Sequence, residues 1–351
     1  MKRDGAWPID LILEAGVNHE GDLSNALRMV DLAATAGVKA IKFQTYTAEK
    51  LAAKNSPSYW DTSKEPTKSQ IELFRKYDKF GLEEYTALSQ RCEEKGIEFA
   101  TTFFDLDWLH KMDHLVTFYK VASADLTNYV LVREFARRKK PIILSTGAST
   151  IEEIKKTLEE IFRINDQADV TLMHCVLNYP TNIEKAFLER ITHLRSSFAD
   201  LKIGYSDHTT SENAQVVIGT AVALGASVVE THFTFNKCLS GNDHYHSLDI
   251  EDVMKLQDSL KLINKIKQYS ELSFIEAQQE ARKYARRGIY ANADIEKNQV
   301  IKDSDLIMLR PIQSQGIPAE LVDQVVGSKA KTKIHSGEFL TTDWLAQDRA
   351  N

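Results

Sequence analysis

The run Gly204-Tyr205-Ser206-Asp207-His208-Thr209 and its echo Glu230-Thr231-His232-Phe233 are two short β-type stretches, each ending on a histidine flanked by acidic and hydroxyl side chains. Residues 211–224 between them read as one amphipathic helix, closed by Gly225. A strand, a helix and a second strand put both strand ends on the same side of a parallel sheet. His208 and His232 can therefore face one pocket.

The same unit recurs outward from this point. Near the start, the apolar run 11–16 leads into Val17-Asn18-His19-Glu20-Gly21, and Asp22 caps a helix that Gly37 closes. The strand at 39–46 carries Lys42 and Gln44 two residues apart, hence on one face. Further strands are expected at 98–104, 118–123, 141–147, 169–176, 202–207 and 227–233. Helices are expected at 82–95, 106–112, 127–139, 151–162, 184–197 and 250–269. Eight strands alternating with eight helices over about 270 residues give the order and size of a TIM (β/α)8 barrel. An open doubly wound sheet is the alternative, but the first βα turn carries no GxGxxG phosphate loop. Residues 47–80 show no period, and so long an irregular connection is expected to be functional or mobile.

Beyond residue 269 the texture changes. Residues 271–287 are polar and charged, as in a linker. From Gly288 the segments are short, and 295–301 resembles 334–340, with Asn298 and Gly337 coinciding at positions that suit a tight left-handed turn. The expected organisation is a barrel domain over 1–270, a linker over 271–287 and a small β-rich domain over 288–351, the last near the lower size limit for folding alone.

Composition narrows the function. The 351 residues carry a formal charge of -6 and are 43% hydrophobic, which argues against nucleic acid or an anionic membrane as the main partner. No run is apolar and long enough to span a bilayer, and no signal core opens the chain. Three cysteines without CxxC spacing fit reduced thiols. A soluble cytoplasmic protein is expected.

Barrel enzymes place catalysis at the C-terminal ends of the strands. Those ends supply Glu14, Lys42, Gln44, Thr102, Lys120, Ser123, Ser145, Asn178, Tyr179, Ser206, His208, Glu230 and His232. A lysine inside an apolar strand is costly unless it has an anionic partner. Lys42 and Lys120 either turn outward, pair with Glu14 or Glu230, or join Ser123, Ser145 and Ser206 as a cage for a dianionic ligand. His208 and His232 are either satisfied core histidines or a metal pair that leaves positions for water and substrate, suited to Lewis-acid work. The segment 240–247 reads as a surface loop, so its His244 and His246 rank behind the strand-end pair as ligands. Cys175 reads as buried filler rather than a nucleophile.

Several of these motifs, Glu14-Ala15-Gly16-Val17-Asn18-His19-Glu20-Gly21, Lys42-Phe43-Gln44, Lys120-Val121-Ala122-Ser123, Leu144-Ser145-Thr146-Gly147, Gly204 to Thr209 and Glu230-Thr231-His232-Phe233-Thr234, closely resemble the sialic acid synthase family. The C-terminal part resembles that family's antifreeze-like (SAF) domain. The resemblance implies condensation of phosphoenolpyruvate with an N-acetylated hexosamine aldehyde, N-acetylmannosamine in the sialic acid case, with water consumed and phosphate released by C–O cleavage. It implies that Lys42, Thr102, Lys120, Ser123, Ser145 and Ser206 hold phosphoenolpyruvate. It further implies that His208 and His232 bind Mn²⁺ or Mg²⁺, that Glu14 is an acid/base, and that Gln44, Tyr179, Glu230 and Asp243 orient the sugar. It also implies a domain-swapped homodimer in which Arg310 reaches the partner's sugar.

Two departures from the family pattern stand out. Leu177 occupies a position where an asparagine is frequent, with Asn178 next to it as a substitute phosphoenolpyruvate contact, and Thr231 stands where a basic residue is common. A legionaminic or pseudaminic acid synthase using a diacetamido sugar is the alternative within the class. A barrel metallohydrolase would need further ligands such as an HxH after the first strand, and an ice- or carbohydrate-binding protein would need a Thr-rich repeat. Neither is present.

Overall fold

The computed structural model describes residues 7–60, 62–63, 65–241 and 243–346. Asn242 of the 240–247 segment, residues 1–6 of the expected barrel domain and residues 347–351 of the small domain lie outside the described residues. The chain forms two compact units, divided after Lys267.

The first unit is a closed barrel of parallel strands in sequence order: β1 (Asp10–Gly16), β2 (Ala40–Thr45), β3 (Glu98–Phe103), β4 (Tyr119–Val121), β5 (Ile142–Ser145), β6 (Val170–Cys175), β7 (Lys202–Asp207) and β8 (Val228–His232), with β8 pairing back onto β1. Its helices are α1 (Leu23–Thr35), α2 (Ala48–Leu51), α3 (Gln70–Tyr77), α4 (Leu82–Lys95), α5 (Leu106–Met112), α6 (Tyr129–Arg138), α7 (Ile151–Ile164), α8 (Glu189–Ser197), α9 (Ala214–Ala223) and α10 (Ile250–Lys267). Local chemistry sets their ends. The Asp22 carboxylate accepts from the Asn25 amide at the start of α1, Thr150 and Glu153 cap α7 reciprocally, and Gly96 takes the left-handed conformation that ends α4.

Two differences from the sequence expectation concern the connections. Residues 47–80 hold α2 and α3 rather than one irregular loop, and the helix expected at 184–197 opens with a separate 3-10 turn before α8 begins. These pieces are too short to show a helical period: α2 has four residues, α3 eight and the 3-10 turn three.

The barrel interior is layered. Ile12, Ala40, Ala100, Phe118, Ile143, Met173 and Val228 form a buried apolar plug. Gly204 takes the remaining position, where a Cβ would come within 2.6 Å of the Val228 carbonyl oxygen. Side chains two apart along a strand point the same way. Two residues beyond each plug residue, the strands present Glu14, Lys42, Thr102, Lys120, Ser145, Cys175, Ser206 and Glu230, all of which line one cavity. A dry floor under a polar layer is what positions the site. A separate core of Leu, Ile, Val and Phe fills the space between the sheet and the surrounding helices.

The second unit holds α11 (Glu271–Glu276), α12 (Gln279–Ala285), the antiparallel pair β9 (Gly288–Ala291) and β10 (Leu306–Leu309), and α13 (Val322–Val325), around its own apolar core. The two echoing segments pair with each other: Ile295 and Ile334 exchange backbone hydrogen bonds of 2.8 and 2.9 Å. Asn298 and Gly337 have φ of 65° and 86°, the left-handed turns their residue types suggest. Among the described residues, no helix is long and apolar enough to cross a membrane.

Candidate active site

The cavity at the C-terminal mouth of the barrel measures about 430 Å³. At its base lie four buried charges. Glu14 and Lys42 are register partners on β1 and β2, with Lys42 Nζ 2.5 Å from Glu14 Oε2. Lys42 also donates to Thr102 Oγ1 at 3.0 Å and lies 3.9 Å from Glu230 Oε2. Lys120 Nζ is 3.3 Å from Glu230 Oε1, and the Ser206 hydroxyl donates to the same oxygen at 3.2 Å. Gln44 Nε2 donates to Glu14 Oε1 at 2.9 Å. Both lysines thus point inward and pair with carboxylates, while the Ser145 hydroxyl has no hydrogen-bond partner among the described residues.

The two carboxylates are driven in opposite directions. Burial pushes Glu14 up, the Lys42 ammonium opposes this, Glu230 adds to it, and the net shift is upward. Burial also acts on Glu230, but Lys120 and Lys42 together outweigh it and hold Glu230 below the usual carboxylate range. A pair separated in this way supplies one group able to carry a proton and one that remains an anion.

Histidines flank this layer, His232 being the register partner of Glu14 across β8 and β1. The rings of His208 and His232 have centroids 5.3 Å apart, and Tyr179 packs against His208 at 4.2 Å. The His208 Nδ1–H donates to the Val176 carbonyl at 2.8 Å, with Cys175 Sγ 3.8 Å from the same nitrogen. Nε2 is the His208 nitrogen that these contacts leave available; burial pushes the ring down, but Cys175 and the Val176 carbonyl outweigh it and raise it to about 9.

His232, Asp243 and His246 form a buried group whose candidate ligand atoms lie within 4.8 Å of one another. These residues fit a divalent cation. His232 Nδ1 and both nitrogens of His246 are buried without hydrogen-bond partners among the described residues. Burial, reinforced by the other histidines, keeps both rings neutral, His246 being pushed down to about 3. Asp243 is pushed up to about 7 by burial and by Glu14.

Most residues expected from the sequence meet here. Lys42, Thr102, Lys120, Ser123, Ser145, Ser206, Glu14, Gln44, Tyr179, Glu230, His208 and His232 all line the cavity, and Asp243 lines a chamber beside it. Asn178 does not: it is exposed, and its neighbours Leu177 and Tyr179 line the wall instead, so its substitute role is corrected. The surface-loop reading of 240–247 is corrected too. Asp243, His244 and His246 are buried, because His244 bridges Thr234 and Glu20 (2.8 and 3.2 Å) and the Ser247 hydroxyl donates to the Asp243 carbonyl. Burial of this segment is what brings His246 beside His232 and Asp243. Its signal was the run of polar residues directly after a strand end. Arg310 lies exposed in the second unit, just after β10.

A parallel barrel with buried acid, base and histidine groups gathered at its C-terminal mouth defines a barrel enzyme. The sequence profile of the NeuB family matches residues 29–271 and that of the SAF domain residues 286–346. The chain belongs to the NeuB family, with a SAF domain at its C-terminal end. It is 34% identical to an uncharacterised protein of Methanocaldococcus jannaschii, over 97% of this chain and 96% of that one. It is 32% identical to the N,N'-diacetyllegionaminic acid synthase of Legionella pneumophila, over 94% and 92%. The N-acetylneuraminic acid synthetase structure from Leptospira borgpetersenii superposes with a TM-score of 0.68 at 33% identity, covering 78% of this chain and 93% of that one.

Proposed function

We propose that this enzyme condenses phosphoenolpyruvate with an N-acylated aldose and water, giving a 3-deoxy-2-keto sugar acid and phosphate. N-acetylmannosamine, and hence N-acetylneuraminate, is the leading substrate assignment, with a diacetamido sugar as the alternative. The observation that carries the reading is the paired layer of Glu14, Lys42, Lys120 and Glu230 beside the buried group of His232, Asp243 and His246.

In this reading Lys42, Lys120, Thr102, Ser123, Ser145 and Ser206 bind the phosphate and carboxylate of phosphoenolpyruvate, the lysines being shared between Glu14, Glu230 and the ligand. C3 of the enol ether attacks the aldehyde carbon, and positive charge develops at C2. The Glu230 carboxylate stabilises that charge, and water adds at C2. One carboxylate takes the proton from this water, and Glu14, held towards its acid form, delivers one to the new hydroxyl oxygen. Breaking the bond from C2 to the phosphate oxygen of the resulting hemiketal, with its hydroxyl proton passing to the departing phosphate, releases phosphate and leaves the ketone. Gln44, Tyr179 and Asp243 orient the sugar.

His232 would hold a divalent ion, Mn²⁺ or Mg²⁺, together with His208 as the strand-end pair or with Asp243 and His246 as the clustered set. Bound there, the ion would polarise the aldehyde. The proposed enzyme is a cytoplasmic homodimer in which Arg310 serves the sugar of a second copy; sedimentation, and the activity of Arg310→Ala, test this part.

The main test is phosphate release from phosphoenolpyruvate with a panel of N-acetylated and unsubstituted hexoses, with and without Mn²⁺. The reading predicts release only with an N-acylated aldose. Equal release with no sugar present would mean a hydrolase.

A further inference from the structure

We infer that Asn18 is the positioning residue of the buried group His232, Asp243 and His246. Its one side-chain nitrogen ties the strand end that carries His232 to the segment that carries Asp243 and His246. This rests on the reading of that group as a divalent-ion site.

Asn18 lies in the turn after β1 and is 1% exposed. Its Nδ2 donates to the Phe233 carbonyl at 2.9 Å and to the Ser247 hydroxyl oxygen at 3.0 Å, partners 215 and 229 positions away. A carbonyl oxygen only accepts, so the nitrogen of the amide, and not its oxygen, must face Phe233. Both of its N–H bonds are then used. Ser247 Oγ accepts one of them and gives its own proton to the Asp243 carbonyl at 2.6 Å. Each proton in this chain has one direction, from Asn18 to Ser247 and from Ser247 to Asp243.

The two anchors belong to the two halves of the group. Phe233 follows His232 directly, and its amide donates to the Glu14 carbonyl at 2.8 Å, so Asn18 completes the fixing of that strand end. Asp243 and Ser247 flank the 3-10 turn His244–His246. Holding Ser247 and the Asp243 carbonyl therefore fixes both ends of the turn, and with them the backbone of His246. The β1 end also leaves room for the carboxylate: Gly16 has a φ of 51°, and a Cβ there would lie 3.3 Å from Asp243 Oδ2. That oxygen lies 3.7 Å from His232 Nδ1. A small shift of either half changes the spacing of ligand atoms that lie within 4.8 Å of one another.

Other bonds keep the segment in place. Leu248 N donates to the His232 carbonyl and Thr234 N to the Leu248 carbonyl, both at 2.9 Å, and His244 bridges Thr234 and Glu20. Loss of the Asn18 amide thus loosens the group without releasing the segment. Groups that hold metal ligands in this way typically cost about 10- to 100-fold in affinity when removed.

The test is calorimetric titration of the intact chain with Mn²⁺ alone, well below the melting temperature, for the unmodified protein, Asn18→Ala, Ser247→Ala and the double variant. Each single substitution weakens Mn²⁺ binding about tenfold or more. The double variant loses much less than the product of the two, because both act through one chain of bonds. An amide that merely stabilised the barrel would lower the melting temperature and leave Mn²⁺ affinity unchanged. That result overturns the inference, as do losses that multiply in the double variant. Should Asn18→Ala fail to fold, unchanged affinity in Ser247→Ala, which removes a single hydroxyl, overturns it as well. The readings fail separately. No Mn²⁺ binding by the unmodified protein overturns the ion reading and the inference with it. Weakened binding in the variants, with no phosphate release from phosphoenolpyruvate by the unmodified protein, overturns the proposed reaction and supports the role of Asn18.

Discussion

Glu14 and Lys42 face each other in register across β1 and β2, their charged ends 2.5 Å apart and both about 3% exposed. Removing one member of a buried pair leaves an uncompensated charge and costs about 3–5 kcal/mol. Lys42→Met is therefore expected to lower stability by about that amount. Adding Glu14→Gln restores most of it, while phosphate release is abolished in either background. Denaturant unfolding of the single and double variants checks the coupling; strictly additive losses would contradict it.

His232 belongs to both candidate metal arrangements, so His232→Ala is expected to weaken Mn²⁺ binding more than about tenfold. His246→Ala and His208→Ala separate the two: whichever substitution costs more identifies the partner of His232. Calorimetry with Mn²⁺ alone reads this without turnover. Full affinity in His232→Ala would remove the metal role.

His19 predicts an acid-sensitive stability. Its ring stacks on Phe80 at 4.3 Å and accepts the Gly21 amide at Nδ1. Burial, helped by Lys79 and partly offset by Asp22, pushes it down to about 4 from its ordinary 6.5. The unfolded chain binds the proton more readily, so this contribution is complete above pH 6.5 and is lost as pH falls towards 4, amounting to roughly 3 kcal/mol. Melting curves between pH 7 and 4 should flatten in His19→Phe; an identical slope would contradict the account.

The two units own separate apolar cores. A chain ending at Lys267 is expected to retain a cooperatively melting barrel with little synthase activity. Loss of near-ultraviolet circular dichroism in that fragment would show that the barrel does not fold alone, and undiminished turnover would remove Arg310 from the reaction.

The barrel was legible because parallel strands and amphipathic helices repeat with clear punctuation, and strand ends mark the mouth of such a fold. The sequence permits Lys42 to pair with Glu14 but does not single that pairing out. Residue spacing says which face a side chain shares, but the register between strands decides what it meets. The plug layer explains why the strand-end residues converge: each stands two positions beyond a plug residue. Other parts were hidden. Burial of Asp243, His244 and His246 goes with His244 reaching Glu20, more than two hundred positions away, which no local pattern records. Asn178 sits where the chain turns tightly after β6, its amide donating to the Val176 carbonyl at 2.9 Å, and residue spacing does not say which way such a turn aims a side chain.

The proposed condensation breaks the C–O bond of phosphoenolpyruvate, and the bridging oxygen reports which bond is broken. Phosphoenolpyruvate labelled with ¹⁸O between C2 and phosphorus is incubated with the enzyme, N-acetylmannosamine and Mn²⁺, and the released phosphate is weighed by mass spectrometry. With C–O cleavage the phosphate carries the label and a nine-carbon keto acid forms in equal amount. Unlabelled phosphate, meaning P–O cleavage, would contradict it.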